Sequence, residues 1–261
     1  MTESIDSGMR PISRWRVALV WLVFIAPFGA IAQAQTLAEI IAHHVQARGG
    51  LERLRALESL RMSGTVSLGP EHRARVKREI ARPGRIRTEF EYQGVTAVYA
   101  CDGSACWSVE PLSGSFDPQP MSQERSMRAL AQAQPEGPLV DWQAKGYQAK
   151  LVGRTERHGR EVFEIVLTGP FGLVQHEFLD SHTWLVIASE SSRGMGSGVL
   201  DTAVEMDDYR QVDGLLFPHS FKVVAAGNDT VLEVVVEEVE LNPDLEDSLF
   251  AMPEPPRDPD S

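Results

Sequence analysis

The chain has 261 residues, 43% hydrophobic and 24% charged, an ordinary globular composition with room for one large all-β domain or two small ones. A formal net charge of -12 makes it a poor partner for nucleic acid, whose phosphates would repel it. The same charge argues against lasting residence on an anionic lipid surface.

Residues 1–34 read as an export signal. Arg10, Arg14 and Arg16 form a positive start, Val17 to Ile31 is uncharged and apolar, and Ala32-Gln33-Ala34 supplies the small-x-small pattern, so cleavage is expected before Gln35. The competing reading is a retained membrane anchor. The apolar run is short for a bilayer and broken by Pro27, so no stable membrane span is expected. No cysteine lies near the cleavage point, which excludes lipid attachment there.

Thr36-Leu37-Ala38-Glu39 is a capping box that opens a helix, with Leu37, Ile40, Ile41, His44 and Val45 on one face. Gly49-Gly50 ends it, and Leu51, Leu54 and Leu57 make a second short helical turn. Both pieces are too short to stand alone and must pack on something. The period then switches to two. Leu60, Met62, Gly64, Val66 and Leu68 alternate with polar residues, as do Val76 and Ile80, where Arg78 interrupts the apolar side. Beyond the Pro83-Gly84 turn, Ile86, Thr88, Phe90 and Tyr92 alternate with Arg and Glu. Strands Val95–Ala100 and Trp107–Glu110 come next.

The only cysteines, Cys101 and Cys106, bracket the turn between those two strands. Export and hairpin spacing favour a local disulfide, which would close too short a loop to add much entropy; a reduced pair is the alternative. The spacing is not that of a redox CxxC.

Pro111–Pro120 reads as a loop. Ser122 can cap a helix through about Gln134 that carries Met127, Leu130 and Ala131 on one side, and Leu139–Ala144 reads as another short helix with Trp142. From Gly146 to Leu241 the chain is a ladder of strands: Tyr147–Thr155, Glu161–Thr168, Gly172–Asp180, Thr183–Arg193, Leu200–Val212, Leu216–Ala226 and Thr230–Leu241. Turn signals such as His158-Gly159, Gly194–Gly198, Asp213-Gly214 and Gly227-Asn228 separate them. Short loops make neighbours antiparallel.

The expected fold class is therefore mainly β with helices (α+β). Roughly eleven strands in one antiparallel sheet should curl wholly or partly into a barrel, covered by the N-terminal and inserted helices. Residues 35–252 are expected to be a single domain, and 253–261, rich in Pro and Asp, a disordered tail.

Chemistry is not expected. His43 and His44 are adjacent and diverge, and none of the seven histidines falls into a metal-ligand spacing. Gly194–Gly198 opens no helix, so it lacks the helix-end anion site, and Ser197 lacks the G-x-S-x-G elbow. Asp207-Asp208 and Glu237-Glu238 are strand neighbours on opposite faces, not dyads. No enzyme, metal or cofactor is expected.

Several pieces in order carry a likeness. They are Ala47-Arg48-Gly49-Gly50-Leu51 through Ser59–Gly64, Asp102-Gly103 before Trp107, and Pro138–Asp141 before Gly146. Asp208-Tyr209-Arg210-Gln211-Val212-Asp213-Gly214, Phe217-Pro218, and Leu241-Asn242-Pro243 with Phe250 and Pro253 complete the set. Together they resemble the LolA-like outer-membrane lipoprotein-sorting proteins of bacteria, across most of the mature chain. The resemblance implies an unclosed antiparallel barrel with a helical lid, in the periplasm. It also implies an apolar cavity for lipid or lipoprotein acyl chains, although relatives sense envelope stress or bind lipids in other ways. The chain departs from the simplest carriers in its length and in the Cys101/Cys106 pair.

Leu60, Met62, Val66, Ile80, Ile86 and Phe90 are then either core under the helices or the wall of such a cavity, with Met127 and Leu130 on its movable cover. The leading expectation is a lipid or lipoprotein carrier. The alternative is a non-transport periplasmic module that docks an envelope protein partner and fills its sheet with its own side chains.

Overall fold

The computed structural model describes residues 35–67, 69, 71–193, 200–225 and 231–254. The expected signal and its cleavage point, the Gly194–Gly198 loop, the Gly227-Asn228 turn and most of the expected disordered tail lie outside those residues.

Helices α1 (Leu37–Ala47) and α2 (Leu51–Arg55) open the described chain. The capping box forms as the sequence dictates: the Glu39 amide donates to the Thr36 hydroxyl at 3.3 Å, and the Thr36 amide donates back to the Glu39 carboxylate at 2.8 Å. Burial at the Thr36 end is slight, and these hydrogen bonds hold the Glu39 carboxyl below its ordinary value. Strands β1 (Ser59–Ser67), β2 (Arg73–Ala81), β3 (Arg85–Tyr92), β4 (Val95–Asp102), β5 (Cys106–Glu110) and β6 (Ser115–Pro120) come after them. Helix α3 (Gln123–Ala131), capped by Ser122, separates them from a second block. That block comprises β7 (Gln148–Arg157), β8 (Arg160–Thr168), β9 (Leu173–Asp180), β10 (Val186–Arg193), β11 (Leu200–Val212), β12 (Leu215–Ala225) and β13 (Val231–Leu241).

The described strands form one curled, unclosed antiparallel sheet in the order β6-β5-β4-β3-β2-β1-β13-β12-β11-β10-β9-β8-β7. Every strand pairs with its sequence neighbours except at one place. The two blocks are joined through β1 and β13, with Leu60 opposite Leu241. Strands β6 and β7, consecutive in the chain, are left as the two free edges. The segment containing α3 connects them.

Three expectations are corrected. Pro111–Pro120 is not wholly a loop, because Ser115–Pro120 pairs with β5. Pro118 and Pro120 are tolerated there because an edge strand has no ladder bond to donate on its outer side. Leu139–Ala144 is a run of turns rather than a helix. Asp141 takes a φ of 49°, outside the helical region, and Arg55 holds its carboxylate with two hydrogen bonds of 2.7 and 2.6 Å. Strand β10 starts at Val186 rather than Thr183. The Asp180 carboxylate accepts from the His182 and Thr183 amides at 2.9 and 2.8 Å, closing a turn that takes those residues out of the strand.

Cross-strand register sets the interior. Leu60, Ile80, Ile86 and Cys101 lie directly opposite one another along β1, β2, β3 and β4, and Cys101 faces Cys106 on β5. The two cysteines form a disulfide with a Cα–Cα distance of 4.1 Å. This row is buried with Leu54 and Leu57 of the α2 region and Leu215 and Phe217 of β12. A second dry cluster lies under α1, where Ile40 meets Phe163, Ile165, Leu167, Leu179 and Val186.

The helical hairpin docks through its glycines. The Leu216 amide donates to the Arg48 carbonyl at 3.0 Å, and Arg48 Nε donates to the Leu216 carbonyl at 2.8 Å. Gly49, at φ 118°, lies so close to the β11–β12 turn that a Cβ would stand 2.2 Å from the Gly214 oxygen.

Candidate functional site

One row further along the same strands, the interior is no longer filled. Met62, Arg78 and Thr88 lie opposite one another on β1, β2 and β3, followed by Gly64, Val76 and Phe90. All of these except Gly64 line a cavity of about 540 Å³. Gly64 has no side chain to offer, and the register shift beside it brings it within 2.0 Å, measured from an ideal Cβ, of the Val235 oxygen. The opposite wall comes from β9 to β13, with Val186, Val204, Met206, Phe221 and Val234. Asp208, at φ 53°, re-phases β11, so that Tyr209 faces the same space as Met206 although the two are three positions apart.

The roof is built from two sources. His44 and Arg48 come from the end of α1. Arg128, Ala131, Gln132, Gln134 and the stretch Glu136–Leu139 come from α3 and the turns on its C-terminal side. The two parts are held differently. Helix α1 buries Ile40 and His44, whereas α3 buries no residue completely. The α3 segment is tied down by polar contacts: Arg78 donates to the Gln132 side-chain oxygen at 2.9 Å, and Gln134 Nε2 donates to the Tyr147 hydroxyl at 3.0 Å.

The residues singled out from sequence divide between core and cavity. Met62, Val66 and Phe90 are on the cavity wall. Leu60, Ile80 and Ile86 are in the dry row beneath α2. Leu130 packs against that same core, and Met127 is half-buried on α3 without lining the cavity; Arg128 and Ala131 are the α3 residues that do. The wall from β11 to β13 was not singled out, although Thr202, Val204 and Met206, or Leu232, Val234 and Val236, alternate as plainly as β1 does.

Of the buried polar groups, sequence reasoning placed only His44, on the apolar face of α1. Glu177 on β9 is 3% exposed, accepts from the Ser189 hydroxyl at 3.0 Å, and is pushed up to about 7 by burial. His44 is 2% exposed, places Nδ1 2.8 Å from the Trp184 carbonyl oxygen, and is pushed down to about 4 by burial. Glu136 is buried between Lys145 at 2.6 Å and Arg82 at 3.0 Å. Burial also lowers the Lys145 ammonium and the Arg48 guanidinium, the latter lying 5.4 Å from the Phe217 ring centre. Among the described residues no group of three or more His, Cys, Asp or Glu is placed to hold a metal, and no helix is long and apolar enough to cross a membrane.

Neither a protein-family model nor a curated protein matches the sequence. Solved structures do match the fold. A LolA superfamily protein of Nitrosomonas europaea aligns over 84% of this chain and 98% of its own, with a TM-score of 0.55 and 14% identity. A domain from Vibrio parahaemolyticus described as outer-membrane lipoprotein-sorting aligns over 81% and 94%, with a TM-score of 0.52 and 13% identity. A DUF1329 family protein of Desulfovibrio piger aligns over 81% and 95%, with a TM-score of 0.55 and 11% identity. At these identities the similarity is one of fold.

Proposed function

We propose, on a fold now known to be LolA-like, that the exported chain is a periplasmic carrier. Its mature domain, residues 35–252, would hold acyl chains of a lipid or lipoprotein between the curved sheet and the helical roof. The observation that carries this reading is the unfilled, largely apolar cavity of about 540 Å³. That volume falls in the range of small-molecule sites, roughly 300–1,000 Å³. Each square ångström of hydrocarbon taken out of water there contributes about 25 cal/mol, with no need for matched hydrogen bonds. Met62, Val66 and Phe90 serve as wall. Helix α3, which buries no residue completely, serves as the part that lifts. An interior packed solid would have favoured the docking module instead.

The test is native mass spectrometry of the mature protein, gently purified, followed by titration with a fluorescent fatty-acyl probe. The expected result is one retained or newly bound acyl ligand per chain, with binding lost in Val204→Trp, which fills the cavity from β11, while thermal unfolding stays cooperative. A folded protein that arrives empty and rejects acyl probes defeats the proposal.

A further inference from the structure

Among the described residues, Arg78 is a charge on the cavity wall that pairs with no acid; Arg48, also on the wall, donates to the Leu216 carbonyl and lies over the Phe217 ring. Arg78 occupies the middle of β2 on the inward face, between Met62 and Thr88 across the ladders and beside Val76 along the wall. Its Nε is sealed from solvent and has no hydrogen-bond partner among the described residues. Its one hydrogen bond among them goes to a neutral amide, that of Gln132.

Three other arginines of this region are matched with acids. Arg61 reaches Glu79 and Glu240, Arg87 reaches Glu89, and Arg82 reaches Glu136. The carboxylates on the cavity wall are engaged elsewhere: Glu136 holds Arg82 and Lys145, and Glu177 is held toward its neutral form and accepts from Ser189. Burial pushes the Arg78 guanidinium down to about 10, with no acid acting in the opposite direction. The chain has 37 acidic residues against 25 basic ones, so it had ample means to neutralise an arginine here. A half-buried charge without an acid partner is costly, and fixed donors facing an apolar space match a ligand that brings the opposite charge.

Resting on the carrier reading above, we propose that the cavity takes an anionic amphiphile, its hydrocarbon against the β11–β13 wall and its acid group on Arg78. Arginine has five donors and only one is used by Gln132, so the acid group can be received without releasing that contact. A carboxylate and a phosphate monoester both fit this chemistry. A fully acylated neutral lipid end does not use the charge.

The mature wild-type chain, Arg78→Gln and Arg78→Lys are titrated by calorimetry with three probes of equal chain length: palmitate, palmitoyl lysophosphatidate and monopalmitoylglycerol. In the wild type at least one acid should bind about tenfold or more tighter than the glycerol ester, the scale of a charge-assisted hydrogen bond. Preference for palmitate assigns a free fatty acid, and preference for the phosphate assigns a phospholipid head. Arg78→Gln should remove the difference between acid and ester, and Arg78→Lys should keep part of it. Equal binding of all three probes by the wild type, or an acid preference that survives Arg78→Gln, overturns the inference while the carrier reading stands. Failure of every probe to bind overturns both. If Arg78→Gln does not fold, the wild-type ranking and Arg78→Lys decide.

Discussion

The same three strands pass through two different interiors. Near α2, Leu60, Ile80 and Ile86 are under 5% exposed and sealed by Leu54 and Leu57. One and two rows on, Met62, Arg78, Thr88, Val76 and Phe90 surround empty space. The pairing of β1, β2 and β3 and the inward alternation continue from one to the other. The difference is in the opposing layer: Leu54 and Leu57 fill the space at one end, and the roof from α1 and α3 leaves it open at the other. A sheet face is therefore core or container according to its cover.

That contrast can be broken most forcefully at the sealed end. Leu54→Ala, at a fully buried position, should cost about 2–5 kcal/mol in denaturant unfolding, whereas Val234→Ala on the cavity wall should cost under about 1 kcal/mol because it deletes atoms that already face a void. Equal losses would mean that the cavity wall is packed like the core.

Next in size is Glu177. The folded protein holds its proton up to about pH 7, while an ordinary glutamate releases it near 4.5, so the folded state binds the proton more tightly. The penalty is absent below pH 4.5, grows as pH rises toward 7, and is complete above it, on the order of 2–3 kcal/mol. Glu177→Gln should therefore be more stable than wild type by about that amount at pH 8 and equal to it near pH 4, read from urea midpoints at the two pH values. His44 slopes the other way: its neutral ring favours folding above pH 6.5, and that contribution is lost as pH falls through about 4. It is present in both proteins and cancels from the comparison.

The smallest of the three changes concerns the hairpin joint. Gly49→Ala forces a Cβ toward the Gly214 oxygen and a side chain onto a φ of 118°, and should lower stability by about 1–3 kcal/mol. A shift in Tm without loss of acyl-probe binding would separate this joint from the cavity.

Much of the architecture was legible because turns and caps have local causes. The pieces that carried the family likeness prove to be joints. Arg48-Gly49 meets Gly214 and Leu216. Asn242 accepts from the Glu58 amide at 2.8 Å, and the Ser59 hydroxyl donates to the Pro243 carbonyl at 2.6 Å. Trp107 donates its indole N–H to the Phe250 carbonyl at 2.9 Å. These residues hold the fold, although Arg48, with Met62, Pro138, Leu139, Tyr209 and Pro218 of the same pieces, also lines the cavity. The division of Leu60, Ile80 and Ile86 from Met62, Val66 and Phe90 was not legible, because alternation reports which face a residue takes and not what covers it. Arg78 registered only as an interruption of the pattern. Its significance depends on its having no acid partner among the described residues, which is a tertiary fact.

The pairing of β1 with β13 also bears on how the chain comes into being. The first strand to be synthesised finds its central neighbour only when nearly the last is made, since Leu60 lies against Leu241 and Ser67 against Glu233. Until then the two halves of the meander can each form locally, but each ends in an unsatisfied strand at what will become the middle of the sheet. A protein truncated before Val231 would keep that seam open and should be prone to self-association, so the final strand acts as the stitch that closes two half-sheets into one vessel.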